Sequence, residues 1–289
     1  MLTDHFIDVA SIKTRYWQAG SNGSAVLLLH GIGCSVLEWE RNIEALAARH
    51  RVFALDLLGF GLTEKPANET YSLRRLAQFV LDFMTAKAIP QAHIAGNSLG
   101  GRLALECAAI AAQRVASLLL VDPAGMQQRE TLFEFRLATL PLLGEVFTWP
   151  NRLGTKMLWR KAFAAPSAFV TEELIAGKVA LARQPGAQAA FLKTLRGFLD
   201  FRGFLPGPVA ELHAALPGIQ APTLVVWGSE DRFVPPVHAE VLRRALPNAE
   251  VQIWDRCGHA PQIECAQRFN EVALGFWRQL DLRLTDSER

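Results

Sequence analysis

Residues 25–29, 51–55, 92–95, 117–121, 223–227 and 250–254 are short runs dominated by Val, Leu and Ile, with helix-length segments between them. Their apolar positions are nearly continuous instead of alternating, the pattern of strands buried on both faces. Helices that cover both faces of a sheet are the crossovers between parallel strands. The runs therefore predict an α/β fold with a mostly parallel central sheet covered by helices. Between about Met126 and Gln220 the strand-like runs stop. Aromatics such as Phe133, Phe135, Phe147, Trp149, Trp159, Phe163 and Phe169 fall there among helical periods, punctuated by Pro and Gly. This block predicts an inserted helical cap at residues 126–220, over a core assembled from residues 1–125 and 221–289.

Composition narrows the partners. A chain of 289 residues with 50% hydrophobic content can bury a large core. Thirty basic against twenty-eight acidic side chains give a net charge of +2, with no long basic run, which argues against nucleic acid and for a neutral or weakly polar small molecule. Asp4 stands where a signal peptide would carry basic residues, and no apolar stretch approaches a membrane span, so a cytoplasmic location is expected. Homo-oligomerisation is left open. The four cysteines, Cys34, Cys107, Cys257 and Cys265, form no C-x-x-C pair and are expected to pack as reduced, small apolar groups.

Chemistry enters at Gly96-Asn97-Ser98-Leu99-Gly100-Gly101, between an apolar run and a helix-like segment. Glycines two residues either side of a serine permit a tight strand-to-helix turn that lifts the hydroxyl clear of the sheet. Ser98 is thus the candidate nucleophile. In an open parallel sheet ligands bind beyond the strand ends, so the other groups should lie in loops that follow strands. The loop His30-Gly31-Ile32-Gly33-Cys34-Ser35 follows residues 25–29 and offers the Ile32 N–H, which with the Leu99 N–H would form an oxyanion hole. A dinucleotide turn would need a third glycine where Val36 stands. Gly228-Ser229-Glu230-Asp231 follows residues 223–227, and Asp231 is the chosen orienting acid, with Glu230 and Asp122 as competitors. His259, in the loop after the last strand, is the candidate base.

The order Ser98, Asp231, His259, with each residue in a loop at a strand end, resembles the α/β-hydrolase fold superfamily over nearly the full chain. Within it, Gly-Asn-Ser-Leu-Gly-Gly, Thr171-Glu172-Glu173-Leu174, Arg183-Gln184-Pro185, Asp231-Arg232-Phe233-Val234-Pro235 and Cys257-Gly258-His259 are similar to the meta-cleavage product hydrolases and related carboxylesterases. The former cut a carbon–carbon bond in a vinylogous diketo acid. The resemblance implies that Asn97 and Arg183 contact a dienoate, and Phe233 and Trp159 join them as candidate substrate-binding residues. Two departures favour an ester. The first glycine loop reads Ile32-Gly33-Cys34-Ser35 in place of a longer glycine and proline loop, and Ala260 stands where many carbon–carbon enzymes have tryptophan. The expectation is a carboxylesterase for small to medium acyl chains, with no metal or organic cofactor. Carbon–carbon hydrolysis is the alternative, and a hydrolase-fold ligand receptor is the rival of another class.

Overall fold

The structure, a computed structural model, describes residues 2–128 and 131–287. Met1, Arg129, Glu130, Glu288 and Arg289, at the ends of the expected core and inside the expected cap, lie outside the described residues. In chain order the first part runs β1 (His5–Val9), β2 (Ile12–Ala19), β3 (Ala25–Leu29), α1 (Ile43–Leu46), β4 (Arg51–Leu55), α2 (Leu73–Ala86), β5 (Ala92–Asn97), α3 (Leu99–Ile110) and β6 (Val115–Val121). Between β6 and the next strand of the main sheet come α4 (Phe133–Ala138), α5 (Leu143–Phe147), α6 (Arg152–Ala162), α7 (Pro166–Phe169), α8 (Glu172–Ala182), α9 (Ala187–Arg196) and α10 (Pro206–Ala215). A short ribbon, β7 (Leu199–Asp200) with β8 (Gly203–Phe204), interrupts this otherwise helical segment. The chain closes with β9 (Thr223–Gly228), α11 (Ala239–Ala245), β10 (Ala249–Trp254), α12 (Pro261–Glu264) and α13 (Ala266–Ser287).

The sheet order is β1-β2-β4-β3-β5-β6-β9-β10, parallel from β4 to β10. All six apolar runs are strands of this sheet. Their two faces feed two separate cores: Leu27, Leu29, Leu118, Leu120, Val225 and Trp227 pack on one side, and Val26, Leu28, Leu119, Val121, Leu224 and Val226 on the other. Burying each such side chain contributes about 1.5–3 kcal/mol before chain entropy is counted, so near-continuous apolar strands are what a sheet covered on both faces selects.

β1 and β2 escaped the hydrophobic pattern. They form an antiparallel edge in which β1 is largely exposed and β2 buries charge. Arg15, inside β2, is buried against Asp4 at 2.7 Å and Asp56 at 3.4 Å. Paired charges of this kind occupy core positions while reading as surface in the sequence.

Candidate active site

Ser98 stands between the last residue of β5 and the first of α3, with φ 55° and ψ −115°. That backbone is strained for a residue with a Cβ, and the neighbours hold it there. Ser98 N donates to Val121 O at 2.9 Å, while Ser98 O accepts from Arg102 N and Ala124 N at 3.0 and 3.1 Å. The flanking glycines are required by contact: a Cβ on Gly96 would lie 2.3 Å from the carbonyl of Gly100, and one on Gly100 would lie 2.2 Å from Leu29 O. The turn exists because β5 and α3 approach β3 backbone to backbone.

His259 follows β10, and its Nδ1 lies 2.7 Å from Asp231 Oδ2. The other oxygen, Asp231 Oδ1, accepts from Phe233 N at 2.7 Å and Val234 N at 3.0 Å. Asp231 is buried and its carboxylate fixed, so it orients the ring and leaves Nε2 as the nitrogen that does not face Asp231. Of the two competitors, Asp122 comes close: its carboxylate, that of Asp231 and the His259 ring lie within 4.8 Å of one another. Asp122 Oδ1 accepts from Gly228 N at 2.9 Å, so it anchors the loop that carries Asp231 and makes no bond to the imidazole. Burial, together with the neighbouring Asp231 anion, pushes its carboxyl well above the usual carboxylate range.

Asn97 links the elbow to the histidine loop. Its Nδ2 donates to His259 O at 2.9 Å and to Val121 O at 3.3 Å. His259 N donates in turn to Ala162 O at 2.7 Å, tying the same loop to the end of α6. His30 shapes the glycine loop: Leu57 N donates to its Nε2 at 3.0 Å, which leaves the proton on Nδ1 to reach Gly31 O at 2.7 Å.

These parts border a cavity of about 590 Å³, lined by Ile32, Asn97, Ser98, Phe233 and His259 from the sheet side and Trp159 from α6. The volume falls in the usual range for small-molecule sites. Ser98 Oγ and His259 Nε2 are not hydrogen-bonded to each other, a bond that commonly tightens only in a substrate complex. The Phe233 ring lies 4.8 Å from the imidazole, centroid to centroid. A second, small apolar niche of about 20 Å³ meets Ile32, Ser98 and Leu99. Leu99 is the first residue of α3, where backbone N–H groups lack partners within the helix. Phe133 and Trp149 line the large cavity as well.

Arg183 is the one candidate the fold leaves outside. It caps the C-terminus of α8, exposed, with its guanidinium 3.3 Å from Pro150 O. The cation that lines the cavity from α8 is Lys178, whose Nζ lies 2.8 Å from Glu38 Oε1 and 3.9 Å from the centre of the Trp159 ring. Burial disfavours both charges, yet the pairing prevails, holding Glu38 below and Lys178 above their ordinary values. Cys34, beside them, is a neutral thiol, because burial and Glu38 push its pKa far up. Sequence reasoning missed this pair. Its signal was a lone lysine in the otherwise apolar stretch Leu174 to Ala182.

A family model described as the alpha/beta hydrolase family matches residues 26–272. Over 260 residues the chain is 32% identical to a 2-hydroxy-6-oxo-6-phenylhexa-2,4-dienoate hydrolase of Burkholderia cepacia, covering 88% of this chain and 87% of that one. It is 34% identical over 263 residues to the dihydrolipoyllysine-residue acetyltransferase component of the acetoin cleaving system of Pseudomonas putida. That alignment covers 90% of this chain, which spans 65% of the relative's length. Among solved structures, a meta-cleavage product hydrolase from Pseudomonas fluorescens IP01 superposes with a TM-score of 0.81 at 27% identity, covering 95% of this chain and 97% of that one.

Proposed function

The chain belongs to the alpha/beta hydrolase family, and from that premise we propose that it is a serine hydrolase of neutral carboxylic esters, with residues 126–220 serving as the cap over the site. The observation that carries this reading is the Asp231–His259 contact of 2.7 Å, which orients a histidine that lines the same cavity as a serine on a strained elbow. Ser98 Oγ attacks the ester carbonyl as His259 Nε2 takes its proton, and Asp231 stabilises the imidazolium. The N–H groups of Ile32 and Leu99 receive the oxyanion, a contribution of about 3–4 kcal/mol per donor. The alcohol leaves with the proton from His259. Water, deprotonated by the same ring, then cleaves the acyl-enzyme to the acid. Asn97 acts by positioning the histidine loop, since its amide hydrogens are spent on backbone carbonyls.

The preference for a neutral ester rests on the cations. Two of the three lysines lining the cavity are ion-paired, Lys178 with Glu38 and Lys161 with Glu134, and the third, Lys65, turns its ammonium onto the carbonyls of Gly61 and Thr63. A dienoate carboxylate would have to compete with these partners for its cation, whereas a neutral ester would not. The second reading, carbon–carbon hydrolysis, is favoured by the Burkholderia cepacia relative and works through the same Ser98 and His259. A panel of p-nitrophenyl esters of increasing acyl length, run beside a 2-hydroxy-6-oxo-dienoate, separates the two. The highest kcat/KM is expected on an apolar ester, with a loss of about 10⁴-fold or more in Ser98→Ala. Turnover of the dienoate alone would overturn the ester reading, and an active Ser98→Ala would overturn both.

A further inference from the structure

Two residues of the cavity wall, Trp149 and Met157, belong to a face that is apolar where it meets solvent. Leu142 is 82% exposed, Val146 75%, Leu153 70%, Trp149 67% and Met157 60%. Single exposed apolar residues are ordinary, but clusters of them mark contact surfaces. These are clustered by the helix geometry. Leu142 and Val146 are four residues apart at the start and body of α5, Leu153 and Met157 are four apart on α6, and Trp149 sits in the connection between. Leu142 is held at φ 65°, a conformation a leucine adopts only under constraint, with its side chain directed into water. Trp149 and Met157 also line the cavity, so the exposed face and the inner wall share these two side chains.

Charge identifies what covers it. α6 carries Arg152, Lys156, Arg160 and Lys161 and no acidic residue. Glu172 pairs with Arg152 and Lys156, Glu134 with Lys161, and Glu145 of α5 with Arg196, so five cations meet three carboxylates and the rim stays positive. Apolar side chains projecting between basic ones, with a tryptophan at their border, are the pattern of a helix lying in the interface of an anionic bilayer. A second copy of the chain fits poorly. A two-fold contact through this face would set the basic α6 against itself and close the apolar route to Ser98 that the cavity residues outline. No helix among the described residues is long and apolar enough to cross a membrane, so the contact is peripheral.

We propose that α5, the N-terminal half of α6 and the connection between them dock on the surface of an anionic phospholipid bilayer, with the cavity mouth facing the lipid. Docking rests on this surface and not on the ester reading, so Ser98→Ala should bind as the wild type does. The test is flotation of the full chain with vesicles of phosphatidylcholine and phosphatidylglycerol in equal parts, beside vesicles of phosphatidylcholine alone. The wild type should float with the anionic vesicles, and less with the neutral ones. Val146→Asp/Leu153→Asp, at positions outside the cavity lining, should lower the partition coefficient about tenfold or more with an unchanged melting temperature. In the unsubstituted chain, brominated lipid should quench a fraction of the tryptophan emission, and Trp149→Phe should abolish that fraction. Absence of flotation with anionic vesicles overturns the proposal, as does flotation that neither the aspartates nor the Trp149 signal touches. A concentration-dependent dimer abolished by the same aspartates, without vesicle binding, would overturn it in favour of a second copy.

Discussion

Glu38→Gln removes the carboxylate that faces Lys178 and leaves an ammonium buried beside Trp159. The two charges lie 2.8 Å apart with side chains 6% and 3% exposed. At that distance the gross attraction is about 6 kcal/mol for an effective dielectric near 20, and the desolvation of two buried ions opposes it. The net worth of the pair is therefore small, while the loss of one partner costs about 3–5 kcal/mol because the other charge stays buried. Glu38→Leu/Lys178→Met, which removes both charges and keeps the volume, should cost about 1 kcal/mol or less. Urea unfolding of the wild type, Glu38→Leu, Lys178→Met and the double variant measures the coupling directly. The pH dependence has a defined sign. Glu38 is held low, so its contribution is present above the ordinary carboxylate range and lost as pH falls below it. Lys178 is held high, so its contribution is present below the ordinary lysine range and lost as pH rises through the raised value. The gap between wild type and Glu38→Gln should be widest between those limits. A second assay reads specificity: Glu38→Gln should raise kcat/KM for an ester with a terminal carboxylate, relative to its neutral methyl analogue, by about tenfold, the worth of one charge-assisted bond. Additive single costs in the double variant would refute the pairing energetics, and an unchanged substrate ratio would refute Glu38 as the group that withholds Lys178 from a substrate carboxylate.

The two aspartates near His259 should separate by chemistry. Asp231→Asn should lower kcat by about 10⁴-fold at unchanged fold, whereas Asp122→Asn should stay within about tenfold, since an amide mimics a protonated carboxyl and keeps the Gly228 bond. Because the Asp122 carboxyl is raised, its contribution to stability is lost as pH rises above the ordinary carboxylate range, so Asp122→Asn should gain stability relative to wild type across that rise, read by melting at a series of pH values. Gly100→Ala tests the elbow. Glycine to alanine inside a helix ordinarily stabilises by about 0.5–1 kcal/mol, but here the Cβ meets Leu29 O at 2.2 Å, so a loss of about 1–3 kcal/mol or more and a fall in ester turnover are expected.

Legibility in the sequence followed the range over which each feature is encoded. The buried parallel strands could be read because each is a local apolar run, and the elbow because Gly96, Ser98 and Gly100 sit within one turn. Asp231 and His259 could be chosen because strand ends are local too, and the fold brings them to 2.7 Å. β1 and β2 could not, since their buried positions include Arg15, whose partners Asp4 and Asp56 stand 11 and 41 positions away. Arg183, chosen through the resemblance, is the exposed cap of α8 and does not line the cavity. On α8 the cavity is lined by Lys178, Leu181 and Ala182, and the lysine stands five positions before Arg183.

By itself, then, the chain determined its strands, its order of chemistry-bearing loops and the serine turn, because backbone sterics and the two-sided burial of a strand act over a few residues. Tertiary structure alone decided what surrounds the serine. It brought Lys178 to Glu38 across 140 positions, turned the Asn97 amide onto the carbonyl of His259, and left apolar residues of α5 and α6 in solvent. Whether a charge is neutralised, or an apolar side chain is covered, depends on which distant surface packs against it.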